Sequence, residues 1–391
     1  MQRRATQHLI WPIVGICLIM AACGSPQTQD DNSAPPDGSE AKSDASPPPS
    51  EEEKNTAGTY DEVVAAVEGL EGQERTDALL SLAEDEGSQL LWYTAMRLDL
   101  AEKMKEAFGT EYGIDVEVYR ADKDTVLLRV MEESAANYES SADVVEAPAV
   151  EMTRMSREGL FVPYESSVKE ELVPEALFDD WTAERFNIFA LAWNADLVSE
   201  DLRPRSWEDL ADERYNGQLA LNRADTDWYR ALWQHWVNEE GKDPAEADEL
   251  FHDIAADSLV MQGHSERAAL MAAGDFMLAA PLYTHVADAA IAEGAPLSYQ
   301  PYVGPIFLQP NGAALMENTD HPATAVLFLD WLFTDGQQLI VDDGVTPAMA
   351  SLQETTDVES VLIDVEGFVD EEEEWTTRWD DLMRFGEAVQ Q

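Results

Sequence analysis

The chain has 391 residues, of which 79 are Asp or Glu and 24 are Lys or Arg, so its formal net charge is −55. This charge excludes a nucleic-acid binder, which needs a basic face, and it excludes attachment to anionic lipid by charge. Hydrophobic residues make up 45% of the chain, enough for a large core, and the length indicates two domains or two lobes of one fold. The acids are spread along the whole chain. We therefore interpret them as a surface adapted to high salt in a prokaryote, over the alternative of an acidic site for a specific partner.

The first 22 residues have the pattern of an export signal. Arg3 and Arg4 form a short basic region, and residues 9–22 form an apolar stretch that is short for a membrane span. This stretch ends in Ala21-Ala22-Cys23-Gly24, which resembles the lipobox of bacterial lipoproteins, where cleavage precedes a cysteine that is then acylated. The sequence predicts a signal peptide over 1–22 and lipidation of Cys23. The alternative, a signal anchor that stays in place, would need a longer apolar run.

A polar linker is predicted between this anchor and the folded body. Residues 24–58 contain no Leu, Ile, Val, Met or aromatic residue, and they are rich in Ser, Pro and acids. Such a segment cannot bury enough surface to offset its conformational entropy, so we expect a disordered tether over 23–58. The only cysteines are Cys17 and Cys23, which leaves no thiol in the body for a disulfide, a zinc site or a nucleophile.

The rest of the chain alternates between helical and strand-like spacing. Two short helices are predicted over 60–84, followed by strands at 89–93, 114–119 and 142–145 with helices at 99–108 and 125–138 between them. This alternation is typical of a parallel sheet with right-handed crossovers. A longer strand at 186–193 can cross between lobes. The residues after it predict a second series of strands at 218–221 and 275–279, an aromatic helix at 228–236, broken strand pieces over 301–316 and a strong helix at 322–332.

Several segments of this body resemble extracellular solute-binding proteins of ABC importers, closest to the ferric-iron-binding branch. The segments that carry the resemblance are 91–95, 143–145, 206–210, 215–221, 274–279, 310–314, 321–325 and 328–338. The family implies an α/β fold of the type 2 periplasmic-binding-protein kind, with two lobes that are each a mainly parallel sheet flanked by helices. Crossing hinge strands join the lobes, the solute lies in the cleft, and the closed form is read by a membrane permease.

On this resemblance we divide the body into four parts. Residues 59–87 form an N-terminal helical segment, 88–188 and 304–345 form lobe 1, 189–303 form lobe 2, and 346–391 form C-terminal helices that pack on the lobes.

Candidate ligand contacts follow the predicted strands, because solutes gather where strand ends meet helix N-termini. In lobe 1 they are Tyr93, Thr94, Arg97 and Glu146. In lobe 2 they are Arg223, Thr226, Ser265 and Tyr283. Arginines are scarce here and bind carboxylates or phosphates well, which makes Arg97 and Arg223 the cationic candidates. The alternatives stay open: Arg97 and Glu146 as ordinary surface charges, Thr226 and Ser265 as helix caps.

Tyr283 is the candidate metal ligand implied by the resemblance. The ferric-iron group has two adjacent tyrosines here, and this chain has Leu282 at the first position and Tyr283 at the second. The family histidine falls at Arg97, and its acidic ligand falls near Pro148. A hard trivalent cation needs several anionic oxygen ligands, so these departures favour an anionic solute or a metal chelate over a bare ferric ion.

The resulting prediction is a lipid-anchored, monomeric receptor that delivers a small solute, anionic or iron-containing, to an ABC permease and ATPase. It would lie outside the cytoplasm, on the outer face of the cell membrane or in the periplasm. We expect no catalytic residue and no resident cofactor, with ferric iron or a ferric chelate as candidate cargo. The alternative is a secreted, lipid-anchored hydrolase, although no G-x-S-x-G or H-E-x-x-H motif occurs.

Overall fold

The computed structural model describes residues 59–136 and 142–389, with side chains described up to residue 386. The predicted signal peptide, Cys23 and the linker 23–58 lie outside the described residues. Within those ranges, no helix combines the length and the apolar character that crossing a membrane requires.

Helices and strands alternate through most of the described chain. The helices are α1 (Tyr60–Val67), α2 (Gly72–Asp85), α3 (Leu98–Tyr112), α4 (Lys123–Ala135), α5 (Ala149–Arg157), α6 (Thr226–Gln234), α7 (Pro244–Ala256), α8 (His264–Ala273), α9 (Thr284–Ala292), α10 (Pro322–Leu332), α11 (Gly336–Asp342) and α12 (Val365–Val389). The strands are β1 (Gln89–Thr94), β2 (Asp115–Arg120), β3 (Val144–Pro148), β4 (Phe161–Val162), β5 (Thr182–Asn194), β6 (Leu219–Asn222), β7 (Leu259–Met261), β8 (Leu278–Tyr283), β9 (Leu297–Ser298), β10 (Ile306–Met316), β11 (Thr346–Pro347) and β12 (Ser360–Leu362).

The strands form two mainly parallel halves that two long strands connect. The strand order is β2-β1-β3-β10-β5-β8-β6-β7. In lobe 1, β1 pairs parallel with β2 and β3, and in lobe 2, β6 pairs parallel with β7 and β8. The long strands β5 and β10 pair antiparallel with each other, β10 reaches β3 and β5 reaches β8. The prediction of a two-lobed α/β fold with crossing strands is confirmed. The exact lobe boundaries stay a prediction.

Helix α3 shows how the predicted periodicity becomes packing. Leu100, Met104 and Phe108 recur on one helix face and are each at most 2% exposed. Phe108 meets Phe328 and Trp331 of α10 at ring-centroid distances of 5.1 and 5.4 Å. This packing holds the C-terminal part of α3 against α10.

The C-terminal helix α12 contacts both lobes. On lobe 1, Arg157 of α5 pairs with Glu366 and Asp370 at 2.7 Å each. On lobe 2, Trp379 is 1% exposed and stacks on Tyr229 of α6 with a centroid distance of 4.9 Å. The helix therefore bridges the two lobes along one side of the cleft.

Candidate functional site

Two cavities lie where the strand-end loops of the lobes face each other. The smaller, of about 130 Å³, we name the acidic cavity, and its polar lining includes Lys123, Glu151, Thr226, Asp227, Gln309 and Glu372. The larger, of about 530 Å³, we name the alanine-rich cavity because small residues of α8 and α9 form most of its wall. Its polar lining includes Arg97, Ser265 and His285.

The acidic cavity brings carboxylates from opposite lobes together. Glu151 comes from the first turn of α5 in lobe 1 and is 1% exposed, and Asp227 comes from the first turn of α6 in lobe 2 and is 7% exposed. Lys123 Nζ donates to Glu151 Oε1 at 2.8 Å. Gln309, on the crossing strand β10, donates through Nε2 to Asp227 Oδ2 at 2.6 Å. Both lobes and the hinge thus contribute polar groups to one cavity.

The charge of this cavity is incompletely balanced. Asp227 accepts hydrogen bonds only from neutral donors, Gln309 Nε2 and the Trp228 amide at 2.9 Å, and no Lys, Arg or His in the described ranges forms an ion pair with it. Burial, helped by the nearby charge of Asp225, raises the pKa of Asp227 to about 6. Oε2 of Glu151 is buried and has no hydrogen-bond partner among the described residues.

Tyr283 lies at the end of β8 and links lobe 2 to the hinge. Its ring stacks on His264, with centroids 3.8 Å apart, and on Phe189 at 4.7 Å. Its hydroxyl donates to Gln309 Oε1 at 2.7 Å, so a hydrogen-bond chain runs from Tyr283 through Gln309 to Asp227. Burial, with the charges of Asp225 and Asp227, raises the pKa of Tyr283 well above its usual value. These surroundings disfavour the phenolate that a ferric ion would bind.

The loop after β1 does not present an open anion site, because Glu146 fills it. Glu146 Oε2 accepts from the Ala95 and Met96 amides at 3.1 and 2.9 Å and from the Thr94 hydroxyl. Its Oε1 lies 2.9 Å from Arg185 Nη2 on the crossing strand β5. Thr94 and Glu146 are both fully buried. The two predicted residues are therefore brought together, as partners of each other.

The two candidate arginines lie at different places. Arg97 is about half exposed, bonds both carboxylate oxygens of Asp343 at 2.8 Å, and shares the alanine-rich cavity with Ser265. Arg223 Nη1 lies 3.5 Å from Asp380 of α12, and Arg223 is not among the described residues that line either cavity. The structure groups Arg97 with Ser265 and places Arg223 beside the C-terminal helix.

Tyr93 and Thr226, two further predicted contacts, also lie at different places. The Tyr93 hydroxyl donates to Glu133 Oε1 at 3.1 Å, and Arg129 lies over its ring at 4.8 Å, on the α4 side of lobe 1. Burial and the charge of Glu133 raise the pKa of Tyr93 to about 12. Thr226 begins α6 and lines the acidic cavity.

Sequence reasoning did not single out the residues that charge the acidic cavity. Asp227 is only a neighbour of the predicted contact Thr226, and Glu151 was not a candidate, because no helix was predicted over 149–157. The strand-end position of 222–227 was the one available signal for Asp227. Lys123 and Gln309 had none, because their partners are 28 and 82 residues away.

A second polar group in lobe 2 is fully paired. Asp225 lies 3.2 Å from His264 Nε2 and 3.3 Å from Arg267 Nη2, and Asn222 Nδ2 donates to it at 2.7 Å. Burial lowers the pKa of His264 despite the neighbouring carboxylate. In the described part of the chain, no group of three or more His, Cys, Asp or Glu side chains is arranged to hold a metal.

Comparisons with known proteins fit this architecture. A family model for bacterial extracellular solute-binding proteins matches residues 103–361. No curated protein sequence matches the chain. Among solved structures, iron-bound HitA from Pseudomonas aeruginosa has a TM-score of 0.60 at 17% identity, covering 75% of this chain and 99% of HitA.

Two further similar structures have other ligands. The periplasmic binding protein AfuA from Actinobacillus pleuropneumoniae, with fructose-6-phosphate bound, has a TM-score of 0.61 at 18% identity, covering 76% of this chain and 98% of AfuA. The Atu4243–GABA receptor has a TM-score of 0.64 at 19% identity, covering 75% of this chain and 97% of that chain. At these identities the likeness establishes the fold, and the variety of ligands shows that the fold alone does not select one.

Proposed function

This chain belongs to the bacterial extracellular solute-binding proteins, and on that premise we propose that it captures a small solute between its lobes and delivers it to an ABC importer. One observation carries the proposal. The acidic cavity receives Glu151 from lobe 1, Asp227 from lobe 2 and Gln309 from the hinge strand β10. A solute bound there contacts both lobes, so it stabilises the closed arrangement over the open one.

The nature of the cargo follows from the ligands that the cleft offers. Tyr283 donates its hydroxyl to Gln309, and its pKa is raised, so it is a poor source of phenolate. The anion position at the start of α3 is occupied by Glu146. Both facts favour an organic solute over a bare ferric ion, and an iron cargo would fit as a chelate because a chelate brings its own oxygen ligands.

The proposed location rests on the sequence. Lipidation of Cys23 would hold the protein at the outer face of the membrane, and the linker 23–58 would let the lobes reach a permease. We propose that the receptor works as a monomer, since one chain supplies both walls of the cavity.

A ligand screen in molar KCl tests the receptor function. The protein is melted with amines, amino acids, sugar phosphates, phosphate and ferric citrate, and each solution is then assayed for chemical change. A solute that binds only the folded state at 100 times its dissociation constant adds about 2.7 kcal/mol of stability, a clear rise in Tm. We expect such a rise with one class of solute, which is recovered unchanged. Consumption of a compound without any stabilising solute would instead support the hydrolase.

A further inference from the structure

We infer that the acidic cavity binds a positively charged nitrogen of the solute, an ammonium group on a short aliphatic chain. This inference rests on the proposed function and names the class of solute that the site would take. Three carboxylates line this cavity. Glu372 pairs with Arg154, whereas Glu151 and Asp227, from opposite lobes, have between them the one ammonium group of Lys123. A cationic solute would complete this set.

The contrast between two neighbouring carboxylates shows what is missing. Asp225 is 3% exposed and pairs with the guanidinium of Arg267 and with the ring of His264. Asp227 is 7% exposed and has hydrogen bonds from Gln309 and an amide, with no cation paired to it in the described ranges. The charge of Lys123 offsets that of Asp227 only in part, because the two side chains form no ion pair. Burying the carboxylate therefore stays costly, and an ammonium beside it gains a strong interaction.

Glu151 supplies an independent sign of an unfilled partner. Lys123 donates to its Oε1, whereas its Oε2 is buried and lacks a hydrogen-bond partner among the described residues. An ammonium carries three donors, and a lobe movement of the size that closure involves can bring one of them to this oxygen. The same group would then connect Glu151 on lobe 1 to Asp227 on lobe 2.

The volume of the cavity and its apolar lining indicate the size and the apolar part of the solute. The cavity measures about 130 Å³, close to a cavity of about 150 Å³ that holds benzene in another protein. Ile363, Val365 and Phe368 line it as well and are each at most 5% exposed. They would cover a few methylene groups next to the charged nitrogen.

The N-termini of α5 and α6 also point to this region and would favour an anion. At α6, however, the first-turn amide of Trp228 already donates to Asp227. The fixed carboxylates therefore outweigh the helix ends in the choice of charge.

The test uses the full chain in molar KCl with three probes of matched length: 1,4-diaminobutane, 1,4-butanediol and succinate. We expect the diamine alone to raise the Tm. Asp227→Asn should weaken its binding at least about 30-fold, and Glu151→Gln on the opposite lobe should weaken it in the same direction. Asp201→Asn, which removes one exposed acid, is the matched control for a general loss of negative charge.

Three results would overturn the inference: no diamine response, an equal response to succinate, or a diamine response that survives in both cavity variants. If a solute from the wider screen binds and Asp227→Asn does not change its affinity, the ammonium inference is wrong and the receptor function still holds. Absence of any binding solute, with turnover observed, would sink both.

Discussion

Two buried carboxylates near strand ends, Glu146 in β3 and Asp227 in the first turn of α6, differ in how completely the protein surrounds them. Glu146 accepts two amide hydrogen bonds and one from a hydroxyl, and it pairs with Arg185. Asp227 accepts one side-chain and one amide hydrogen bond and lines a cavity. The first is part of the scaffold, because Arg185 pairs with its charge within the chain. The second has no ion-pair partner among the described residues, and under our proposal the solute supplies one.

Removing Arg185, the cationic partner of Glu146, should have the largest effect on stability. Arg185→Gln leaves Glu146 and Glu184 buried without their shared guanidinium. Removing one partner of a buried ion pair costs about 3–5 kcal/mol, so we expect a large loss in the free energy of unfolding, measured by denaturant titration in molar KCl. Arg97→Gln, at a half-exposed pair, should cost about 0–1 kcal/mol. Equal effects of the two variants would contradict the contrast.

Replacing Asp227 with a neutral residue should raise the free energy of unfolding, in contrast to the loss expected for Arg185→Gln. The pKa of Asp227 rises to about 6 on folding, from 3.8, so the folded state holds its proton more tightly and stability falls as pH rises between these values. Two pKa units correspond to about 3 kcal/mol, and losing one accepted hydrogen bond offsets about 1 kcal/mol of that.

Ligand-free Asp227→Asn should therefore be about 2 kcal/mol more stable than the wild type at pH 8, with the difference shrinking as the pH falls from about 6 to about 4. Denaturant titrations of both proteins across this pH range give the comparison. A variant that is less stable at pH 8 would show that Asp227 has a partner in the folded protein.

Removing the Tyr283 hydroxyl, which reaches Asp227 through Gln309, should give the smallest effect. Tyr283→Phe removes the hydroxyl that donates to Gln309, while Asn187 Nδ2 still donates to the same oxygen at 3.2 Å. We expect a loss of about 1 kcal/mol in the free energy of unfolding and no visible absorbance band when ferric chloride is added to either protein. An intense band in the wild type that Tyr283→Phe abolishes would establish direct iron coordination.

The sequence predicted the fold in most of its elements because they carry amphipathic patterns. The spacing of Leu100, Met104 and Phe108 predicted α3, and the length of 186–193 predicted a strand that crosses between lobes. Boundaries were less accurate: the helix predicted over 125–138 is α4, whose described span is Lys123–Ala135.

The site was less predictable, because pairing across the fold has no local signature. Thr94 and Glu146 were expected to contact a solute, and nothing in the sequence showed that they would bond to each other across 52 residues. Likewise, the spacing of charges cannot tell Asp225, which finds Arg267, from Asp227, which does not. Only the folded arrangement distinguishes a carboxylate that is neutralised from one that is not.

The helix α12 affects how fast a solute enters and leaves the cleft. Its acidic residues pair with Arg157 of lobe 1 and Arg230 of lobe 2. These carboxylates are about half exposed or more, so dissolved salt screens the pairs. In dilute buffer these pairs should slow the separation of the lobes and lengthen the residence time of a bound solute. In concentrated salt the same pairs weaken, and loading and unloading become faster.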